Sequence, residues 1–272
     1  MPVQQITKFF DDAAIFPPGL APLQQAVQDH IERQRTATAS LVGPFIVPVE
    51  KLEEAAAYAG IEQLDVSVIL HPREADELVR IAEKHTHLQL SAVELKLEDD
   101  GLEEVEAVRG KLASTSIFVE LPATLVSADN LELLRAWGAG LKFRTGGIRQ
   151  ELFPTPQQLI DVLQLAIRTG VPFKLTAGLH RAMRYQDEKT GFQHFGFLNI
   201  AAAVSVLKSG GVSDEAVHIL NSDDAQRVMS VVSGDQAWRD SFRSFGTCSI
   251  TEPLETLSEI GFIDTPEFDI EG

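Results

Sequence analysis

Two lysines 32 residues apart carry the most distinctive chemistry in the chain. Lys142 opens the segment Lys142-Phe143-Arg144-Thr145-Gly146-Gly147. Lys174 opens Lys174-Leu175-Thr176-Ala177-Gly178-Leu179-His180. Two ammonium groups in one dry site repel, and repulsion together with desolvation lowers a lysine pKa. A neutral lysine amine attacks a carbonyl carbon and forms a Schiff base. Lys142 and Lys174 are therefore the candidate catalytic pair. Glu94 and Glu120, each inside or at the end of another short apolar run, are the candidate proton-transfer groups.

The elements that must position these residues alternate along the chain. Short runs rich in Val, Ile, Leu and Phe read as strands at 13–16, 40–47, 64–70, 88–96, 116–121, 141–144, 173–176 and 216–220. Apolar residues at three-to-four spacing read as helices at 20–35, 50–58, 74–83, 102–112, 130–137, 157–168, 198–207 and 224–232. Leu159, Val162, Leu163, Ala166 and Ile167 are one such stripe, and Thr155-Pro156 before it is a helix start. Gly60, Gly138, Gly170 and Gly210-Gly211 mark helix ends.

Eight strand–helix units in 272 residues take about 34 residues each, the size of a (β/α)8 unit. The expected fold class is α/β: a (β/α)8 TIM barrel as a single domain over 1–272. A short C-terminal extension begins at about 238 and holds a last helix near 254–260. A doubly wound open sheet needs a glycine-rich phosphate turn after an early strand, and Pro17-Pro18-Gly19 does not match it.

In such a barrel, polar residues at the C-terminal strand ends face the active-site mouth. Glu94 and Lys96 share one parity on strand four, Lys142 and Arg144 on strand six, and Lys174 and Thr176 on strand seven. Glu120 ends strand five, and Asn221 follows strand eight, ahead of Asp223 and Asp224. The basic residues outnumber the nearest carboxylates, which predicts a positive mouth for a small anionic substrate. Arg144, Thr145, Thr176 and Asn221 are its candidate ligands. Gly146-Gly147 reads as an anion-cradling turn or as a plain tight turn. The long loop at about 177–196 reads as a lid carrying His180, Arg181, Arg184 and His194. His194 precedes a helix and reads as an acid/base or anion contact, or as an exposed loop residue. Asp11 and Asp12 precede strand one and read as a cap or loop charges.

Charge and composition narrow the partners. The net charge of −17 opposes nucleic-acid binding and docking on anionic membranes. Between 142 and 184, however, seven basic residues face two acidic ones, a local positive island. No apolar run reaches the length of a membrane span and no secretory signal is evident, so the expected location is cytoplasmic. A single cysteine, Cys248, excludes an internal disulfide framework. His85 and His87 precede strand four and fall at the end opposite the mouth. A metal site would need His71, Glu94, Glu120, His180 and His194 to converge without a spacing motif, so neither metal nor cofactor is expected. The acidic run 252–271 reads as a solvated face. Self-association into a homo-oligomer is left open.

Lys142-x-x-Thr145-Gly146 and Lys174-x-x-x-Gly178 resemble the paired-lysine signature of deoxyribose-phosphate aldolase and related class I aldolases. The resemblance spans 142 to about 180. It implies a Schiff base on Lys142, tuned by Lys174. Arg144 stands where that family carries a small hydroxyl residue, and Ala177 where it carries the first of two glycines. Asn221-Ser222-Asp223-Asp224 replaces its phosphate loop, which disfavours a phosphorylated substrate. Thr145-Gly146-Gly147, Thr176 to His180 and Gly196-Phe197-Leu198-Asn199 together are also similar to an uncharacterised bacterial barrel group, which implies the fold and no function. The leading expectation is an aldolase-like lyase acting on a small anionic carbonyl compound. A metal-assisted hydrolase or isomerase, and a non-catalytic small-molecule-binding barrel, are the alternatives.

Overall fold

The computed structural model describes residues 2–97, 101–234 and 236–264. Eight parallel strands close into a barrel: β1 (Phe10–Asp12), β2 (Val42–Pro48), β3 (Leu64–Leu70), β4 (Leu88–Lys96), β5 (Ser116–Glu120), β6 (Gly140–Arg144), β7 (Phe173–Thr176) and β10 (Phe242–Thr247). Around the ring the order is β1-β10-β7-β6-β5-β4-β3-β2. Two short strands, β8 (Tyr185–Gln186) and β9 (Gln193–His194), form an antiparallel ribbon outside the barrel. The chain is a (β/α)8 barrel, and among the described residues no helix is long and apolar enough to cross a membrane.

Helices α2 (Leu23–Arg33), α3 (Val49–Ala59), α4 (Ala75–Lys84), α5 (Glu104–Lys111), α6 (Ala128–Ala136) and α7 (Pro156–Thr169) follow β1 to β6 in turn, after a short α1 (Pro2–Gln5). The start of α7 shows how local sequence sets a boundary. Thr155 Oγ1 accepts the Gln158 N–H at 3.2 Å, and the Gln158 side chain accepts the Thr155 N–H at 2.8 Å. Gly170 ends the helix at φ 71°, a left-handed angle that glycine adopts without a Cβ clash. Leu159, Ile160, Val162, Leu163 and Ala166 are buried beneath it.

Two strands lie elsewhere than the sequence suggests. Residues 216–220 belong to helix α9 (Ser213–Leu220). Asp214 and Glu215 fall in its first turn, and Ala216, Ile219 and Leu220 are buried at helical spacing. The eighth barrel strand is β10, reached only after α8 (Phe197–Lys208), α9, α10 (Ala225–Gly234) and α11 (Trp238–Ser241). Its sequence, Phe-Arg-Ser-Phe-Gly-Thr, has little of the aliphatic run that signals a strand. The first strand is Phe10–Asp12 rather than 13–16.

An aromatic cluster closes the ring at this seam. The Phe9 ring lies 4.9 Å from Phe242, 5.2 Å from Phe245 and 5.3 Å from Trp238, all near-perpendicular. After β10 comes α12 (Thr251–Glu259), the last helix among the described residues. The acidic stretch beyond 264 lies outside the described residues.

Candidate active site at the strand ends

Strand register decides which side chains meet inside the barrel. Lys142 pairs with Lys174 across β6 and β7, and Glu120 pairs with Lys142 across β5 and β6. Lys174 pairs with Ser244 on β10, and Gly246 pairs with Asp11 on β1. Paired positions in a parallel sheet point to the same face, so these side chains all enter the interior.

They form one buried ionic network. Lys142 Nζ lies 2.8 Å from Glu94 Oε2 and 2.7 Å from Glu120 Oε2. Lys174 Nζ lies 2.5 Å from Glu94 Oε1 and 2.7 Å from Asp11 Oδ2. One carboxylate, Glu94, therefore bridges both amines. Two hydroxyls complete the shell: Ser67 donates to Glu94 Oε1 at 2.7 Å, and Ser244 donates to Asp11 Oδ2 at 2.6 Å. Arg144 Nη2 reaches Glu120 Oε1 at 3.2 Å, and its side chain stays 42% exposed at the mouth. Lys142, Lys174, Glu94 and Asp11 are nearly sealed from solvent.

The charges correct two expectations. Lys142, Lys174 and Arg144 are matched by Asp11, Glu94 and Glu120, so the interior is compensated rather than positive. Lys174 is also not driven towards the neutral amine. Burial pushes its pKa down, but the Asp11 and Glu94 carboxylates outweigh burial and hold it above the usual lysine value. Burial likewise favours the neutral acid of Glu94, yet Lys142 and Lys174 together hold it far below the usual carboxylate range. Glu120 is lowered in the same way, with Lys142 and then Arg144 overcoming burial. At Asp11 burial wins over Lys174, and the pKa is raised.

Asp11 is the site residue that sequence reading missed. The first strand begins three residues before the apolar run at 13–16, so Asp11 falls inside β1 where the sequence alone reads a loop. Asp12 points to the opposite face, where its Oδ2 meets Arg33 Nη1 at 2.7 Å and His30 Nδ1 at 3.0 Å. Gly43 on β2 makes room for Asp11: a Cβ there would overlap Asp11 Oδ1. Gly43→Ala is expected to displace Asp11 from Lys174 and to cost about 1–3 kcal/mol of stability, measured by urea denaturation. An unchanged midpoint would show that Asp11 has room to yield.

The remaining candidates surround this network at varying distance. Thr176 pairs with Arg144 and with Gly246 at the mouth. Thr145 Oγ1 donates to the Ala177 carbonyl at 2.6 Å, joining the β6 and β7 loops. Gly146 permits their close approach, since a Cβ there would press on the Gly178 Cα and the Phe153 ring; Gly147 abuts Leu152 in the same way. These two glycines have a packing role. His180 Nδ1 lies 3.7 Å from Glu252 Oε2 and 3.8 Å from Cys248 Sγ, beside the end of β10. Burial lowers its pKa against the opposing pull of Glu252. His194 sits in the β9 ribbon strand, its ring stacked on Tyr185 at 4.8 Å and its Nδ1 3.0 Å from the Gly178 carbonyl.

Asn221 does not follow a barrel strand. It caps the C-terminus of α9, and its carbonyl accepts from Arg184 Nη1 at 3.3 Å. The segment that follows the true eighth strand is Cys248-Ser249, not Asn221 to Asp224. The two aspartates therefore do not occupy the position of a phosphate loop. Lys96, on the same parity as Glu94, is exposed. Among the described residues no group of three or more His, Cys, Asp or Glu side chains is placed to hold a metal ion.

The fold and network define a (β/α)8 barrel with a buried lysine–carboxylate cluster beneath its C-terminal mouth. Among solved structures, one described as QR15, an aldolase, superposes with a TM-score of 0.52 at 10% identity, covering 93% of this chain and 96% of that one. A variant of methylaspartate ammonia lyase from Clostridium tetanomorphum gives a TM-score of 0.41 at 11% identity, covering 84% of this chain and 59% of that one. The first likeness shows a shared fold. No family model matches the sequence, and no curated protein matches it.

Proposed function

We propose that the protein is a lyase of the class I aldolase kind, acting on a small anionic carbonyl compound through a Schiff base on Lys142. One observation carries this reading: two lysine amines from adjacent strands meet on a single buried carboxylate, Glu94, beneath the mouth. The likeness of the barrel to a solved aldolase agrees with it.

The roles follow from the surroundings of each group. The Lys142 ammonium gives its proton through Glu120, the network carboxylate with the most solvent access (19% exposed), to water. The free amine attacks the carbonyl carbon, and the hydroxyl of the resulting carbinolamine takes up a proton and leaves as water. The product iminium carries the same single positive charge as the ammonium it replaced. Glu94 and Glu120 thus keep their counter-ion, and burial does not oppose the step. The iminium is the electron sink for carbon–carbon cleavage. A base, Glu120, removes the proton of the β-hydroxyl, and the carbon–carbon bond electrons pass into an enamine as an aldehyde departs. Protonation of the enamine and addition of water release the second carbonyl product and restore Lys142.

Glu94 is held by Lys142, Lys174 and Ser67, so it orients the amines rather than shuttling protons. Lys174 supplies a fixed cation beside the reacting amine. Arg144 is the contact for the substrate's anionic group.

The test is borohydride reduction in the presence of small oxo acids and aldehydes, followed by peptide mass mapping. The expected result is a stable adduct on the peptide carrying Lys142. Absence of any lysine adduct across the panel would overturn the mechanism. It would favour instead a binding barrel whose amines are locked in ion pairs, the reading that the short Lys174–Glu94 and Lys174–Asp11 contacts support.

A further inference from the structure

The interior of the barrel above the ionic network has two unlike walls. Ser67 faces inward because its hydroxyl reaches Glu94. Ile69, two residues on, therefore faces inward too, as does Ile46, which pairs with Ser67. Ala13 lies two residues beyond the inward-facing Asp11. Ala13, Ile46 and Ile69 form an apolar cluster of their own, separate from the main core, with half-buried Phe16 packed on it. Gly246 confirms where this cluster lies: a Cβ on it would meet Ile46 Cδ1 at 3.1 Å, Thr176 Oγ1 at 3.7 Å and Ala13 Cβ at 3.9 Å. The cluster thus stands at the level of Thr176, one inward position above Lys174.

The ring order sets this wall against the charged one. In a closed ring of eight, β1 lies four strands from β5, β2 four from β6, and β3 four from β7. The strands of the apolar wall, β1, β2 and β3, therefore stand across the ring from β5, β6 and β7, which carry Glu120, Arg144 and Thr176. A polyhydroxylated chain laid against the apolar wall would leave hydroxyls unpaired beside Ala13, Ile46, Ile69 and Phe16, which is costly. An alkyl chain would gain from the same surface.

We infer that the substrate is amphipathic: a small carbonyl compound with its carboxylate at Arg144 and an alkyl group on the wall of Ala13, Phe16, Ile46 and Ile69. The position of the carbonyl rests on the Schiff-base reading; the two ends rest on the walls alone.

Calorimetric titration of the full chain with hexanoate and with gluconate tests the ends without a carbonyl. Both ligands carry six carbons and one carboxylate. Hexanoate is expected to bind at least about tenfold more tightly, at roughly fourfold per buried methylene. Ile69→Val is expected to weaken hexanoate by about two- to fourfold and to leave gluconate unchanged. Ile46→Val, on a different strand, gives the same reading should Ile69→Val fold poorly. Equal or tighter binding of gluconate, no binding of either acid, or hexanoate affinity unmoved in both variants would overturn the inference. Borohydride trapping run in parallel separates the two ideas. Adducts on Lys142 without an alkyl preference would sink the amphipathic substrate and leave the Schiff base. An alkyl preference without adducts would do the reverse.

Discussion

Glu94→Gln is expected to lower the unfolding free energy by about 3–5 kcal/mol, the usual cost of removing one partner from a buried ion pair. The carboxylate is the shared counter-ion of two nearly sealed ammonium groups. Its removal leaves Lys142 with Glu120 and Lys174 with Asp11, and brings two like charges together without the group that separates them. The effect extends to pH. Glu94 and Glu120 titrate below their ordinary values in the fold, so the stability they add is present above the unfolded carboxylate pKa of about 4.3 and is lost as pH falls through their folded values. Asp11 acts in the opposite sense, since its raised pKa means that acidification relieves the cost of burying its charge. Lys174 is raised, so its contribution is complete below about pH 10.4 and fades only as pH rises through its folded value. Wild type should therefore lose stability steeply below about pH 4, and Glu94→Gln should start lower and slope less. Urea midpoints measured between neutral and acid pH check both statements. Equal midpoints at neutral pH would mean that Glu94 is not the keystone of the network.

The lysine pair was readable in sequence because strand parity is strict. A charged residue in a short apolar run must face the interior or the helix layer, and Glu94, Glu120, Lys142 and Lys174 lie on the inward parity of the successive strands β4 to β7. Asp11 was not readable, because Phe10-Asp11-Asp12 resembles a loop: both carboxylates are buried only through partners on distant elements, Lys174 and Ser244 for one, His30 and Arg33 for the other. A signal did exist, since two interior lysines demand nearby carboxylates and the chain holds few at strand depth. The eighth strand was hidden for a related reason. Residues 216–220 look aliphatic enough for a strand, and only their burial against α8 makes them a helix. Phe242–Thr247, with its Arg, Ser and Gly, owes its place to the aromatic seam with Phe9 and to the pairing of Ser244 with Lys174. Local charge counting also falls short: the inward members of the basic island at 142–184, Lys142, Arg144 and Lys174, are neutralised by Asp11 on β1, Glu94 on β4 and Glu120 on β5, which linear sequence places elsewhere, while Arg149, Arg181 and Arg184 pair with Glu151, Glu252 and Asp223.

Lys142→Arg is expected to abolish borohydride-trapped adducts, a loss complete within detection, while the protein remains folded. Arginine keeps a cation between Glu94 and Glu120 but stays protonated at any working pH and offers no amine to attack a carbonyl. Its greater length strains the interior by about 1–3 kcal/mol, so folding is checked by circular dichroism and urea midpoint beside the trapping assay. Lys174→Arg is the informative partner. It retains the fixed cation beside Lys142 and the pairing with Asp11 and Glu94, so adducts on Lys142 should persist, though more slowly. The two variants bring the same bulk and charge to the same network, in register on adjacent strands. Different outcomes therefore report chemistry rather than packing. Loss of adducts in Lys174→Arg with retention in Lys142→Arg would exchange the two roles and make Lys174 the nucleophile. Retention in both would move the chemistry away from this network altogether.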